Sequence, residues 1–341
     1  MNMPIPFILG GIAAIAAGYG IKKGIDAKDD FDTANSVNSR AQRTYDDAFN
    51  GLDRQREQAK LSMENLGKLK FGIYENQLIP FVDVFERVKN INFEDAQIQN
   101  EFRNLKIDQK DMLAIKKAAL DIQSTIGAGI TSLGAGGLAG LAAYGAVGAF
   151  GAASTGTAIA GLSGVAATNA TLAWLGGGSL AAGGFGMAGG MAVLGGIVAG
   201  PVLAVGGAML ASKAEEAKHD AYTNLSKAEL LAEEMHTATV KTKDIEQRFA
   251  EVSVMLAKLQ HIFSKLLNAL TELVNSNQNF QTYDKDQRTL LMVSLATAKT
   301  IKNLMEAQLL ADDGSLVNIS ATLIESEQHI SKITSVPLAK N

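Results

Sequence analysis

The sequence predicts an all-α protein: an elongated coiled-coil or helical bundle that carries a Gly/Ala-rich hydrophobic helical region suited to membrane insertion. Three observations predict it. Residues 122–212 contain no Asp, Glu, Lys, Arg or His, and they hold 25 of the chain's 34 Gly. The sequence on both sides is charged and helix-prone, with apolar residues at heptad spacing. No region alternates apolar and polar residues for long, so sheet is not expected as a major component.

Composition narrows the chemistry. A chain of 341 residues is long enough for two or three domains. The net charge is −4, with no basic patch of the size that nucleic-acid binding needs. Cysteine is absent, which excludes disulfides and thiolate metal sites. That absence fits a reducing compartment, and many secreted bacterial proteins share it, so a bacterial cytoplasmic and a secreted location both fit. The prolines are few (Pro4, Pro6, Pro80, Pro201 and Pro337), which favours long helices.

The first segment, 1–25, is an apolar helix. Its core runs from Pro6 to Ile21, short for a full crossing of about 20 residues. Its basic residues, Lys22 and Lys23, follow the apolar run, whereas a signal peptide carries them in front. A short membrane-associating or core-buried helix is expected.

The second segment, 26–121, is the first part of a helical bundle. Leu52, Ala59, Leu66 and Ile73 repeat every seventh position, as a helix seam does. Pro80 is expected to break or kink the helix. A second seam, Ile98, Phe102, Leu105, Gln109 and Met112, is spaced 4-3-4-3 and predicts a helix running into the apolar block without a linker.

The third segment, 122–212, is the charge-free block. Gly184, Ala188, Ala192, Gly196, Gly200, Ala204, Ala208 and Ser212 recur every fourth position. An earlier run, Ala128, Ser132, Gly136, Gly140, Tyr144, Gly148, Ala152, Gly156, Ala160 and Gly164, breaks only at Tyr144. Positions four apart share one helix face, and a stripe of small side chains lets two backbones approach closely in lipid. Such stripes are glycine zippers. Trp174 and Tyr144 suit either a membrane interface or a packed interior. Candidate spans lie near 126–150, 157–175 and 187–211. Lysines at both edges of the block favour both flanks on one side of a membrane, hence an even number of crossings.

Insertion of this block is marginal. Only 23 of its 91 residues are Leu, Ile, Phe or Val. Twenty residues therefore gather about −2 kcal/mol from strong hydrophobes, before the cost of Gly and polar groups. Glycine also costs a soluble helix about 1 kcal/mol per residue. A segment poor at both suits a conditional transition, sheltered in one state and inserted in another.

The fourth segment, 213–341, is the second part of the bundle. Its coiled coil spans 245–274, with the seam Ile245, Phe249, Val252, Leu256, Leu259, Phe263, Leu266, Leu270 and Leu273 spaced 4-3-4-3. The run Asn275–Asn279 ends that helix with polar turn-formers. Two shorter helices are expected near 286–311 and 316–333, separated by Asp312-Asp313-Gly314-Ser315.

No catalytic constellation emerges, and neither enzyme activity nor a cofactor or metal is expected. Gly184-Phe185-Gly186-Met187-Ala188-Gly189 matches GxGxxG, but no acidic residue lies about 20 positions on, as a dinucleotide site requires. His219, His236, His261 and His329 are scattered, and surface or packing roles are expected for them. Protonation of His219, close to the block, would bias insertion at low pH. Glu215-Glu216 and Glu233-Glu234 read as solvated helix faces.

Long heptad-bearing helices, a Gly/Ala-rich apolar insert and more long helices together resemble the α-helical pore-forming toxins of the cytolysin A and haemolysin BL type. The resemblance is one of overall layout, including 98–275. It implies a hydrophobic head stored against a helical bundle and later released into a bilayer. The apolipoprotein-L-like channel-forming proteins share the same general character. The expected partners are a lipid bilayer and a second copy of the chain or a related helical subunit. Three readings compete: a membrane-inserting protein that permeabilises or remodels a bilayer, a constitutively anchored coiled-coil scaffold that recruits a partner, and a soluble interaction protein whose Gly-rich helices are buried.

Overall fold

The computed structural model describes residues 21–93, 105, 107–127, 214–310 and 315–334. The apolar N-terminus up to residue 20 lies outside them. So does nearly all of the charge-free block, including Gly136, Gly140, Gly148, Gly156, Gly164, Trp174, Gly184, Ala188, Ala192, Gly196, Gly200, Ala204 and Ala208. The described residues are predominantly helical and contain no strand, only two isolated bridges.

Helix α1 spans Ile21–Ile73. A π-helical turn, Tyr74–Leu78, follows it and leads into α2, Ile79–Glu86. Helix α3 spans Gln109–Gly127 and α4 spans Ala214–Ser276. A 3₁₀ turn, Phe280–Thr282, joins α4 to α5, Lys285–Glu306. Helix α6 spans Ser320–Thr334.

Two boundaries differ from the sequence expectation, and a third takes a specific form. At Pro80 the α geometry is interrupted without an end to the helical run. Pro80 sits in the first turn of α2, and the preceding residues widen to π geometry. The reason is local: proline has no N–H to donate and its ring crowds the carbonyl four residues back, and a π turn relieves both. The seam expected from Ile98 to Met112 does not lie on one helix through its last part. Ile107 and Asp108 are non-helical, and Asp108 Oδ1 accepts from the Asp111 backbone N–H at 3.0 Å, starting α3 at Gln109. The rest of that seam before Leu105 lies outside the described residues. Finally, α5 stops at Glu306 and not near 311, because the chain turns back there. Leu310 bridges Leu316, with the Val317 N–H donating to the Leu309 carbonyl at 3.0 Å.

The chain divides into two units, neither contiguous in sequence. The first takes residues up to Glu57 and Gly195–Lys243. Its described part is the beginning of α1 paired with the beginning of α4. Partner numbers rise together: Asp30 pairs with Lys218 at 2.9 Å, Asn38 with Asn224 at 3.2 Å and Arg40 with Glu229 at 3.5 Å. Ala41 packs with Leu225 and Ala228, and Leu52 clusters with Met235 and Ala238. The two helices are therefore parallel. Consecutive elements joined by a short loop can pack only antiparallel, so this pairing requires a long crossover, which residues 74–213 supply. Its seam is rich in alanine (Ala34, Ala41 and Ala48 on α1; Ala221, Ala228, Ala232 and Ala238 on α4), and each buried methyl contributes only about 0.8 kcal/mol.

The second unit takes Gln58–Leu194 and Asp244–Asn341. Here too the rest of α1 and the rest of α4 run parallel. Ser62 Oγ donates to the Glu246 carbonyl at 3.4 Å and Gln77 Nε2 to the Gln260 carbonyl at 3.0 Å. Its core is large and apolar. Leu66, Ile73, Leu78 and Phe81 meet Phe249, Val252, Leu256, Leu259 and Phe263, with Met292, Leu295, Ile301 and Leu304 of α5 closing it. Phe81 and Phe263 meet edge to face at 5.4 Å between ring centres. All nine seam positions from Ile245 to Leu273 are buried, as are Leu52, Ala59, Leu66 and Ile73.

The end of α2 is stapled to the end of α4 within this unit. Lys89 N–H donates to the Gln278 carbonyl at 2.7 Å, and Phe280 N–H returns to the Lys89 carbonyl at 3.0 Å. Asn90 takes a left-handed φ of 64° there, and its Nδ2 reaches Asn279 Oδ1 at 2.9 Å. Asparagine tolerates that conformation better than most residues. Asp284 caps α5 through a capping box with Gln287.

Candidate functional site

The feature that calls for a function is the charge-free block, and one helix adjoins each of its ends. Helix α3 leads into it and α4 leads out of it.

Helix α3 is amphipathic. Met112, Ile115, Ala119 and Ile122 fall on one face at spacings of 3, 4 and 3, and all four are buried in the core of the second unit. They pack α3 against α2, the π turn and α5. Two ion pairs hold the same helix. Lys299 of α5 reaches Asp111 Oδ2 at 3.0 Å, with both side chains mostly covered, and Lys116 contacts Glu86 of α2. Asp111 also accepts from the Asp108 backbone N–H at 2.8 Å, so one carboxylate both starts α3 and ties it to α5. The opposite face, with Leu113 and Leu120, is exposed. A cleft of about 390 Å³ between the end of α2 and the start of α3 is lined by Phe85, Val88, Phe93 and Met112 with the Glu86–Lys116 pair. It offers no nucleophile.

A polar group is buried on α1. Lys70 of α1 has no exposed surface, and burial lowers its pKa to about 7. One turn on, burial pushes the Tyr74 phenol well above its ordinary value, with Glu306 of α5 and Asp121 of α3 adding to the rise. Tyr74 thus sits in the π turn within the field of carboxylates on α3 and α5, and π turns recur at functional positions. Lys70 is closed to solvent, so it cannot act as a surface nucleophile.

Helix α4 leaves the block differently. Its beginning is held to the beginning of α1 by the Asp30–Lys218 pair, one turn into α4. The chain enters α1 from the apolar residues 6–21. Within the first unit, then, the starts of α1 and α4 lie at the same end of the parallel pair.

The sequence-predicted residues separate accordingly. The seam residues from Ile245 to Leu273 are internal to the frame, and the zipper residues and Trp174 lie outside the described residues. His219, His236 and His261 are exposed, whereas His329 is half-buried against Thr297. Lys70, Tyr74, Asp111 and His329 were not singled out from sequence for these roles. The spacing Leu66, Lys70, Ile73, Gln77 places Lys70 on the apolar stripe and was the available signal. Among the described residues no cluster of metal-ligating side chains occurs, and no helix is long and apolar enough to cross a membrane. The chain matches no protein-family model, no curated protein and no solved structure.

Proposed function

We propose that this chain is a membrane-inserting α-helical protein that permeabilises or remodels a lipid bilayer as an oligomer, with the charge-free block as its inserting part. The observation that carries the proposal is the block itself: 91 consecutive residues without Asp, Glu, Lys, Arg or His, poor in strong hydrophobes and striped with small residues. Two further features support it. The helices bounding the block are each anchored in a packed unit, so the block has a water-compatible frame. The starts of α1 and α4, which follow the two apolar stretches in sequence, also lie side by side, which suits joint engagement of a single bilayer.

Marginal insertion makes the protein exist in two forms, soluble and membrane-bound. Fractionation of cells expressing the full chain, followed by flotation of the soluble fraction with liposomes, tests this. The expected result is a soluble pool that floats once liposomes are added. A chain found only in membranes from the start identifies the anchored scaffold, and a soluble chain that never floats identifies the soluble interaction protein. Either result removes the proposal.

A further inference from the structure

We propose that α6 is an acid-released latch on α5, held by the hydrogen bond between His329 and Thr297. The inference concerns the helical frame and goes beyond membrane insertion, and its test needs no bilayer.

The geometry fixes how the latch works. Thr297 is fully buried, and its hydroxyl donates to the Val293 carbonyl at 2.7 Å, one turn back along α5. That donation uses its only proton, so toward His329 Nε2, at 3.0 Å, the Thr297 oxygen can only accept. The neutral imidazole therefore carries its proton on Nε2 and leaves Nδ1 bare. Acid adds the second proton at Nδ1, and the ring becomes a cation in a half-buried site.

The surroundings oppose that charge. Burial, joined by the Lys332 ammonium on α6, lowers the His329 pKa to about 4. On α5 the positions one turn from Thr297 are Val293, Ser294, Thr300 and Ile301, none of them titratable. From α4 the same layer receives Leu266 and Ile262, and the ionisable residues beside them, His261 and Lys265, are exposed. Among the described residues Leu105 completes the layer. The carboxylate of Glu325, one turn before His329 on α6, is exposed to solvent.

The sign follows from the two protonation states. Unfolded or detached, the imidazole takes its proton near 6.5, and docked it takes it near 4. Between those values the detached state binds more protons, so docking weakens as pH falls from 6.5 toward 4 and is at full strength above 6.5. The upper bound is about thirtyfold in the docking equilibrium at about pH 5. Undocking uncovers Leu266 and Val293, which α6 buries through Ile333.

Hydrogen exchange on the full chain tests the latch, with rates corrected for the intrinsic pH dependence of exchange. The expected result is that amides of Ser320–Thr334 lose up to about thirtyfold in protection between pH 7.5 and 5 while those of 245–274 hold. His329→Gln, which keeps a neutral donor for Thr297, loses less than about threefold over the same range. Unchanged protection of α6 in the wild-type chain overturns the proposal, as does an equal loss in His329→Gln. A second measurement stands even if the variant misfolds. The ring Cε1 proton of His329, followed by NMR in the wild-type chain, should titrate near 4; titration at the ordinary imidazole value overturns the latch.

Discussion

Lys70 shows how far a single residue departs from the pattern around it. It lies between Leu66 and Ile73 on the buried stripe of α1, and it is itself buried. Unfolded, its ammonium holds its proton to about 10.5; folded, it releases it at about 7. Between those values the unfolded chain binds more protons, so stability is fully present above 10.5, rises with pH across the window and is lost as pH falls through 7. Denaturant unfolding of the wild-type chain should gain up to about 1.4 kcal/mol per pH unit between pH 7.5 and 9.5, and Lys70→Met should flatten that slope. A wild-type curve already flat there would show that the amine stays charged inside the fold. Sequence spacing places Lys70 on the apolar face, but a lysine there also reads as a stem with its head in solvent. The closure is a matter of tertiary packing, which the local sequence does not encode.

At the scale of elements, periodicity was most informative where the buried residues are large. The run from Ile245 to Leu273 reads as a 4-3-4-3 seam and every member is buried. Truncating Phe263, which is fully buried against Phe81, should cost about 3–5 kcal/mol, whereas Leu230→Ala on the exposed face of α4 should cost within about 0.5 kcal/mol. Chemical denaturation of the two variants checks the contrast, and equal losses would mean that α4 buries a different face. Element boundaries were less legible. A mutual turn between Asp108 and Asp111 starts α3 later than the apolar spacing from Ile98 suggests. Pro80 is absorbed by a change of helix type, which composition does not reveal. The capping box at Asp284 was readable in principle, since Asp followed three residues on by Gln is its signature. Asp284→Ala should cost α5 about 1 kcal/mol, read as a lowered midpoint of unfolding.

At the scale of the molecule, sequence marked out the charge-free block and the charged helices on either side, but not how those helices pair. A heptad seam specifies that a helix packs and leaves its partner and direction open. The parallel pairing of α1 with α4 becomes visible only from Asp30–Lys218, Asn38–Asn224 and the matching contacts in the second unit. It sets the start of α1 beside the start of α4. The alanine-rich seam at that end buries little per residue, so amides of 29–57 and 217–243 should exchange faster than those of 245–274. Release of the block would then begin where the frame is weakest. The central claim is that the block permeabilises membranes, and release of a trapped dye from liposomes tests it most directly. The full chain should release dye, and a chain with 128–212 replaced by a flexible Gly/Ser linker of equal length should not. Full-length protein that leaves vesicles intact at every pH and lipid composition, or a linker variant that leaks as well as the full chain, would contradict the account.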